Sequence, residues 1–229
     1  MTLPPRWHAV ANADELRWRA RAFVAAAADD AIRARGAFSV VLAGGQTPRA
    51  LYRSLRDLPA DWERWQVYFG DERCLPADDP ERNSRMAAAA WLDHVAVLRA
   101  NIHAIPAECG AERAAVRYRR MLAGVGDFDL VLLGLGEDGH TASLFPDQPW
   151  GEGVGAPDAL AVSGAPKPPR ERVSLSAARL GRARRVLFLV VGDAKRGAVQ
   201  AWRAGQSIPP RAITPPVGVD VLVEARLLR

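Results

Sequence analysis

The sequence holds only two cysteines, Cys74 and Cys109, in 229 residues. Their spacing fits neither a CxxC pair nor a zinc cluster, so no disulfide framework or thiolate metal site is expected, and both thiols are read as reduced. Long apolar runs are also missing. No stretch approaches the roughly 20 residues that carry a helix across a bilayer, and the opening MTLPPRWHAVANADELRWR lacks the apolar core of a signal peptide. A cytoplasmic protein with no membrane partner is expected. Nor does one sign of charge dominate: 31 Lys and Arg face 26 Asp and Glu, a net charge of +5. The arginines are spread over many segments, and only Arg179 to Arg185 (RLGRARR) is compactly basic. It falls between a short helix and a strand, where a solvated turn is the simpler reading, so no nucleic-acid partner is expected. The positive balance does suit a small anionic substrate such as a phosphate ester.

What is present is an ordinary globular balance, 49% hydrophobic and 25% charged. Periodicity predicts a helix over Asp14 to Arg35, ended by Gly36 in a left-handed cap. FSVVLA (38–43), WQVYFG (65–70), Leu130 to Gly134 and RVLFLVV (185–191) read as buried strands. Shorter ones are predicted at 102–105, 159–162, 172–175 and 219–223. Helices are expected over 48–55, 84–92, 112–123 and 194–204, with a helical turn at 176–180. Residues 146–169 are rich in Gly and Pro and read as a long loop, either a lid or a surface excursion. Strand and helix alternate without a composition break or internal repeat. The expectation is one α/β domain over 1–229, a mainly parallel open sheet with helices on both faces.

Five segments carry chemistry, each near a strand end, where open α/β sheets place their sites. In Gly44-Gly45-Gln46-Thr47-Pro48 two glycines allow a sharp turn, with Thr47 a candidate N-cap and Pro48 the first helical residue. Such a junction presents free N–H groups and a helix dipole to an anion, although an ordinary tight strand–helix turn explains the same residues. It is neither a Walker nor a GxGxxG fingerprint. Asp71-Glu72-Arg73 with Asn83 can bind a polyol through the acids and a phosphate through the guanidinium, or form a solvated ion-paired loop. In GLGEDGH, glycines surround the acid Asp138 and the base His140. Histidine is the side chain best suited to moving protons near neutral pH. Lys167 and Arg172 lead into a strand. Lys195 stands at a helix start, where the dipole disfavours it unless a ligand compensates.

Together AGGQTP (43–48), GDERCLPADDPERNS (70–84), GLGEDGHTASLFP (134–146), KPPRERVSL (167–175) and GDAKRG (192–197) resemble the 6-phosphogluconolactonase family, in the family's order. The resemblance implies hydrolysis of 6-phospho-D-glucono-1,5-lactone and a fold like that of glucosamine-6-phosphate deaminases. It implies no metal or organic cofactor, and a monomer or weak homodimer is expected. By position, Gly44, Gly45 and Thr47 would meet the phosphate with Arg73, Arg172 and Lys195. Asp71 and Asn83 would shape the sugar site, and Asp138 and His140 would do the chemistry. Two departures are Ala43 and Arg82, each where the family commonly has Ser. A deaminase-isomerase would want a carboxylate and Asn soon after the histidine, and TASLFP offers neither. A sugar-phosphate-binding regulator would carry a DNA-binding appendage, and none is evident before the first strand.

Overall fold

The computed structural model describes residues 3–229. In chain order its strands are β1 (Arg6–Val10), β2 (Phe38–Leu42), β3 (Trp65–Phe69), β4 (Asp71–Arg73), β5 (Ile102–His103), β6 (Leu130–Gly134), β7 (Ala159–Val162), β8 (Arg172–Leu175), β9 (Val186–Val190) and β10 (Asp220–Glu224). The helices are α1 (Ala13–Arg35), α2 (Gln46–Leu55), α3 (Asn83–Ala90), α4 (Ala111–Leu122), the short α5 (Ala177–Gly181) and α6 (Arg196–Arg203).

Seven strands form one sheet in the order β1-β10-β9-β6-β2-β3-β5, and every pairing in it is parallel. The middle strands LVLLG, VLFLV and FSVVL are buried almost throughout. Continuous apolar runs of this kind are what a parallel sheet covered on both sides requires. From β2 the chain steps outward through β3 to β5; from β6 it steps the other way, through β9 to β10. Right-handed crossovers therefore put α1, α2 and α3 on one face and α4, α5 and α6 on the other. In agreement, α1 packs on α2 and α2 on α3. The direction of winding reverses between β2 and β6, which lie side by side.

Helix α1 follows its expected limits. Asn12 accepts from the N–H groups of Asp14 and Glu15, and Gly36 closes the helix at φ 78°. Three elements differ from expectation. Helix α2 begins at Gln46, capped by Gly45, so Thr47 lies inside its first turn and is not the N-cap. Strand β1 was hidden by its Trp and His, and β4 is a three-residue charged strand where a polar loop was expected. β4 pairs antiparallel with β8, and β8 with β7, forming a second small sheet. The long 146–169 segment thus holds β7, as anticipated, with flanking loops.

The basic cluster is taken up by contacts within the chain, one buried and three at the surface. Arg179 is buried with its guanidinium 3.8 Å from the centre of the Phe128 ring. Arg182, Arg184 and Arg185 pair with Asp158, Asp129 and Asp30. Among the described residues, no helix is long and apolar enough to cross a membrane.

Candidate active site

A cleft of about 420 Å³ opens at the C-terminal ends of β2 and β6, where the winding reverses. Gly44, Gly45, Thr47, Asp71, Arg73, Asn83, His140, Arg172 and Lys195 all line it. Asp138 does not; it stands behind His140. Residues separated by up to about 150 positions in the chain are thus brought to one crevice by the sheet order.

The first wall is the β2–α2 turn. Gly45 has φ 99°, a left-handed torsion that suits glycine. No side chain caps α2, so the N–H groups of its first turn stay free for an anion. Gly44 is required for a different reason: a Cβ there would lie 2.0 Å from Asn83 Oδ1. The missing side chain lets Asn83 pack on the loop backbone.

The second wall is the small sheet. Along β4 successive side chains point to opposite faces, so Asp71 and Arg73 face the cleft while Glu72 points away. Asp71 accepts from Asn83 Nδ2 at 2.9 Å and from Ser143 Oγ at 2.6 Å. Glu72 is fully buried and accepts from the backbone N–H groups of Asn83 and Ser84 at 2.7 and 2.9 Å. It thereby caps α3 and fixes Asn83. Arg82, one of the two departures, lies 3.5 Å from Glu72 and bonds Glu108 and the Ile105 carbonyl, outside the cleft. It supports the Asn83 helix and does not touch the cleft.

Arg73 and Arg172 are directly opposite across the β4–β8 pair. Like charges in such a register repel; Arg73 is partly compensated by Glu81, whose carbonyl and carboxylate lie 2.9 and 3.4 Å from its guanidinium, and a bound anion between the two would relieve the rest. Arg172 is held by the carbonyls of Pro169 and Lys167 at 3.1 and 3.0 Å. Burial pushes its pKa down; Asp71 opposes this shift and Arg73 adds to it.

The third wall is the loop after β6. Gly139 turns at φ 89°, and the Gly136 N–H donates to the His140 carbonyl at 2.7 Å. Thr141 and Leu144 then exchange backbone bonds around Ala142, which has φ 49°. That tight turn presents Ser143 to Asp71. His140 Nδ1 lies 2.5 Å from Asp138 Oδ1. A carboxylate only accepts, so the neutral ring carries its proton on Nδ1 and keeps a lone pair on Nε2. Burial raises the Asp138 pKa, but the N–H and ring of His140 outweigh it and leave the carboxyl below its ordinary value.

Lys195 follows β9 in a single helical turn, Asp193–Lys195, before α6. That turn is pinned by buried Glu224, which accepts the Gly192 N–H at 2.8 Å. Burial lowers the Lys195 pKa, with Glu137 opposing and Lys167 contributing. The only other lysine in the chain, Lys167, lies 3.9 Å from Glu137 at the same mouth.

Glu72, expected with Asp71 to bind a polyol, is instead buried away from the cleft and caps α3; Ser143 and Glu224 were not anticipated as part of this arrangement. An unbroken strand alternation through DER would have separated Asp71 from Glu72. Nothing in the sequence alone marks Ser143 or Glu224.

Residues 11–222 match the family model described as glucosamine-6-phosphate isomerases/6-phosphogluconolactonase. The chain belongs to this family. A 6-phosphogluconolactonase of Synechocystis is 38% identical over 226 residues, covering 93% of this chain and 92% of the relative. The solved 6-phosphogluconolactonase of Trypanosoma brucei superposes with a TM-score of 0.85 at 26% identity, over 99% of this chain and 98% of that one. A monomeric glucosamine-6-phosphate deaminase gives 0.84 at 20% identity, over 97% and 98%. Both branches share the architecture, so the choice between their chemistries falls to the cleft residues of this family member.

Proposed function

We propose that this chain hydrolyses 6-phospho-D-glucono-1,5-lactone to 6-phosphogluconate, the lactone-opening step of the oxidative pentose phosphate pathway, with His140 as general base. The observation that carries the reading is the opposition of Arg73 and Arg172 in the cleft that also holds the Asp138–His140 pair. An anionic group satisfies the arginines and the free N–H groups of α2, leaving the rest of the ligand for His140. The lactonase relatives supply the same substrate class.

A lactone is an activated ester and needs no covalent intermediate. Nε2 of His140 takes a proton from a water as its oxygen bonds to the lactone carbonyl carbon. Asp138 stabilises the resulting imidazolium. As the tetrahedral intermediate collapses, the bond from carbonyl carbon to ring oxygen breaks, and the imidazolium returns its proton to that oxygen. Base catalysis of this kind contributes on the order of 10²–10⁴-fold. The phosphate supplies binding energy remote from the reacting carbon and fixes its orientation.

The deaminase alternative is disfavoured by the turn after His140. Ser143 occupies it and bonds Asp71, and the next acid in the chain is Asp147. The test is proton release from freshly prepared lactone, corrected for spontaneous opening. His140→Ala should lose about 10²–10⁴-fold in kcat with its melting temperature preserved. Near-wild-type turnover would remove His140 from the mechanism; deamination of glucosamine 6-phosphate without lactonase activity would reverse the assignment.

A further inference from the structure

Two of the chain's three tyrosines make the same pair of bonds. Tyr52, on α2, accepts from the backbone N–H of Ala43 at 2.9 Å and donates to the carbonyl of that residue at 2.8 Å. Tyr118, on α4, does the same with Phe69, at 3.0 Å for each bond. Both side chains are fully buried, and burial pushes both phenols well above the usual tyrosine range, so each keeps the proton it donates.

The two clamped residues occupy equivalent places. Ala43 follows β2 immediately before Gly44, and Phe69 ends β3 immediately before Gly70. At these ends the ladder runs out: the last β2–β6 register pair is Val41 with Val131, and the last β3–β5 pair is Tyr68 with His103. Buried backbone groups left unpaired are costly. A phenylalanine would fill the same volume, but only the phenol offers a donor and an acceptor at once.

Each clamp governs a different wall of the cleft. Tyr52 belongs to the helix whose first turn forms the anion cradle. Its bonds to Ala43 close a ring of strand end, loop and helix, and set where the free N–H groups sit. Tyr118 reaches from the opposite face and fixes the approach to Gly70. Gly70 is tied to β2 and β8 through the Leu42 carbonyl and the Leu175 N–H, and leads directly to Asp71, whereas Arg73 and Arg172 have their own anchors in Glu81 and in the Pro169 and Lys167 carbonyls. Through Ser143, Asp71 braces the turn that follows His140.

We propose that Tyr52 and Tyr118 are positioning residues with separate duties, Tyr52 for the phosphate end of the substrate and Tyr118 for the reacting end. The division rests on the lactonase reading above. It is tested with Tyr52→Phe and Tyr118→Phe, each removing one buried hydroxyl without changing shape. Any common loss of stability cancels between them, and rates are read well below the lower of the two melting temperatures.

Three readouts separate the duties: hydrolysis of 6-phosphogluconolactone, hydrolysis of unphosphorylated glucono-1,5-lactone, and the rise in melting temperature with inorganic phosphate. Tyr52→Phe should lower kcat/KM for the phosphorylated lactone about tenfold, chiefly through KM. It should weaken phosphate stabilisation and leave the ratio for the unphosphorylated lactone nearly constant. Tyr118→Phe should lower kcat on both lactones by a similar factor, with phosphate stabilisation intact. Equal losses on both lactones from Tyr52→Phe with normal phosphate stabilisation would overturn its assignment, as would no loss at all. A phosphate defect in Tyr118→Phe would overturn the division, as would unchanged kcat on both lactones. Phosphate stabilisation needs no turnover: a wild-type chain inactive on lactone sinks the functional reading, whereas the Tyr52 cradle assignment is judged by phosphate alone.

Discussion

Gly136 separates placement of the base from stability of the fold. A Cβ at this position would lie 2.0 Å from His140 Nδ1, 2.4 Å from Cε1 and 2.5 Å from Asp138 Oδ1. Ordinary contact begins near 3.4 Å, so the ring must retreat by about 1.4 Å and the carboxylate by about 0.9 Å. Gly136 is not among the glycines with positive φ, and alanine meets no left-handed backbone there. The His140 side chain is 28% exposed and can swing toward water, so the expected cost in stability is small, about 1 kcal/mol or less. Displacement of a catalytic group by about 1 Å costs on the order of 10²-fold in rate, which corresponds to about 2.7 kcal/mol of barrier. Gly136→Ala should therefore lose about 100-fold in kcat for lactone hydrolysis while its melting temperature moves by only a few degrees. Stopped-flow proton release and calorimetry on the same preparation give both numbers. A kcat within threefold of wild type would refute the placement of His140 derived from this loop.

The remaining expectations concern the frame around the base. Glu72→Ala leaves two buried N–H groups of α3 without a carboxylate acceptor, while Arg82 keeps Glu108; it should cost about 2–5 kcal/mol in urea unfolding, and a loss below about 1 kcal/mol would contradict the capping role. Arg172→Ala removes the charge-assisted contact proposed to the phosphate and should raise KM by about 10–100-fold with a smaller change in kcat; an unchanged KM would count against its phosphate role. Burial raises the Asp220 pKa, yet Arg6 and His8 outweigh it and hold the carboxyl below its ordinary value. A depressed native pKa contributes stability that is present above the unfolded-state pKa and is lost as pH falls through the lower native one. Asp220→Asn should therefore flatten the acid limb of a melting-temperature profile, and an identical profile would show that the Arg6–Asp220–His8 group does not contribute.

Much of this arrangement was legible because its physics is local. FSVVL, LVLLG and VLFLV can only be covered strands, and glycines after their ends mark where the backbone must come close to something. Gly36 announced the end of α1 for the same local reason. What was not legible depends on partners remote in sequence. Asp-Glu-Arg becomes a strand only because β8, a hundred residues later, pairs with it. Without that pairing its alternation was invisible, and Glu72 could not be told from Asp71. Thr47 looked like a cap because Ser and Thr usually are, but the helix starts earlier, where Gly45 takes the positive φ. Ser143 had no signal at all, since its role is defined by Asp71 across the cleft.

The two lysines have a practical consequence. In a chain whose other basic side chains are arginine and histidine, Lys167 and Lys195 are the only side-chain primary amines, and both stand at one mouth. Guanidinium groups do not take part in reductive methylation under conditions that modify amines. Isotope-labelled methyl groups introduced in that way would place two side-chain reporters at the cleft, with the α-amino group the one other amine open to the reagent. Their resonances would follow occupancy of the site directly, without a chromophore, an engineered tag or a turnover assay.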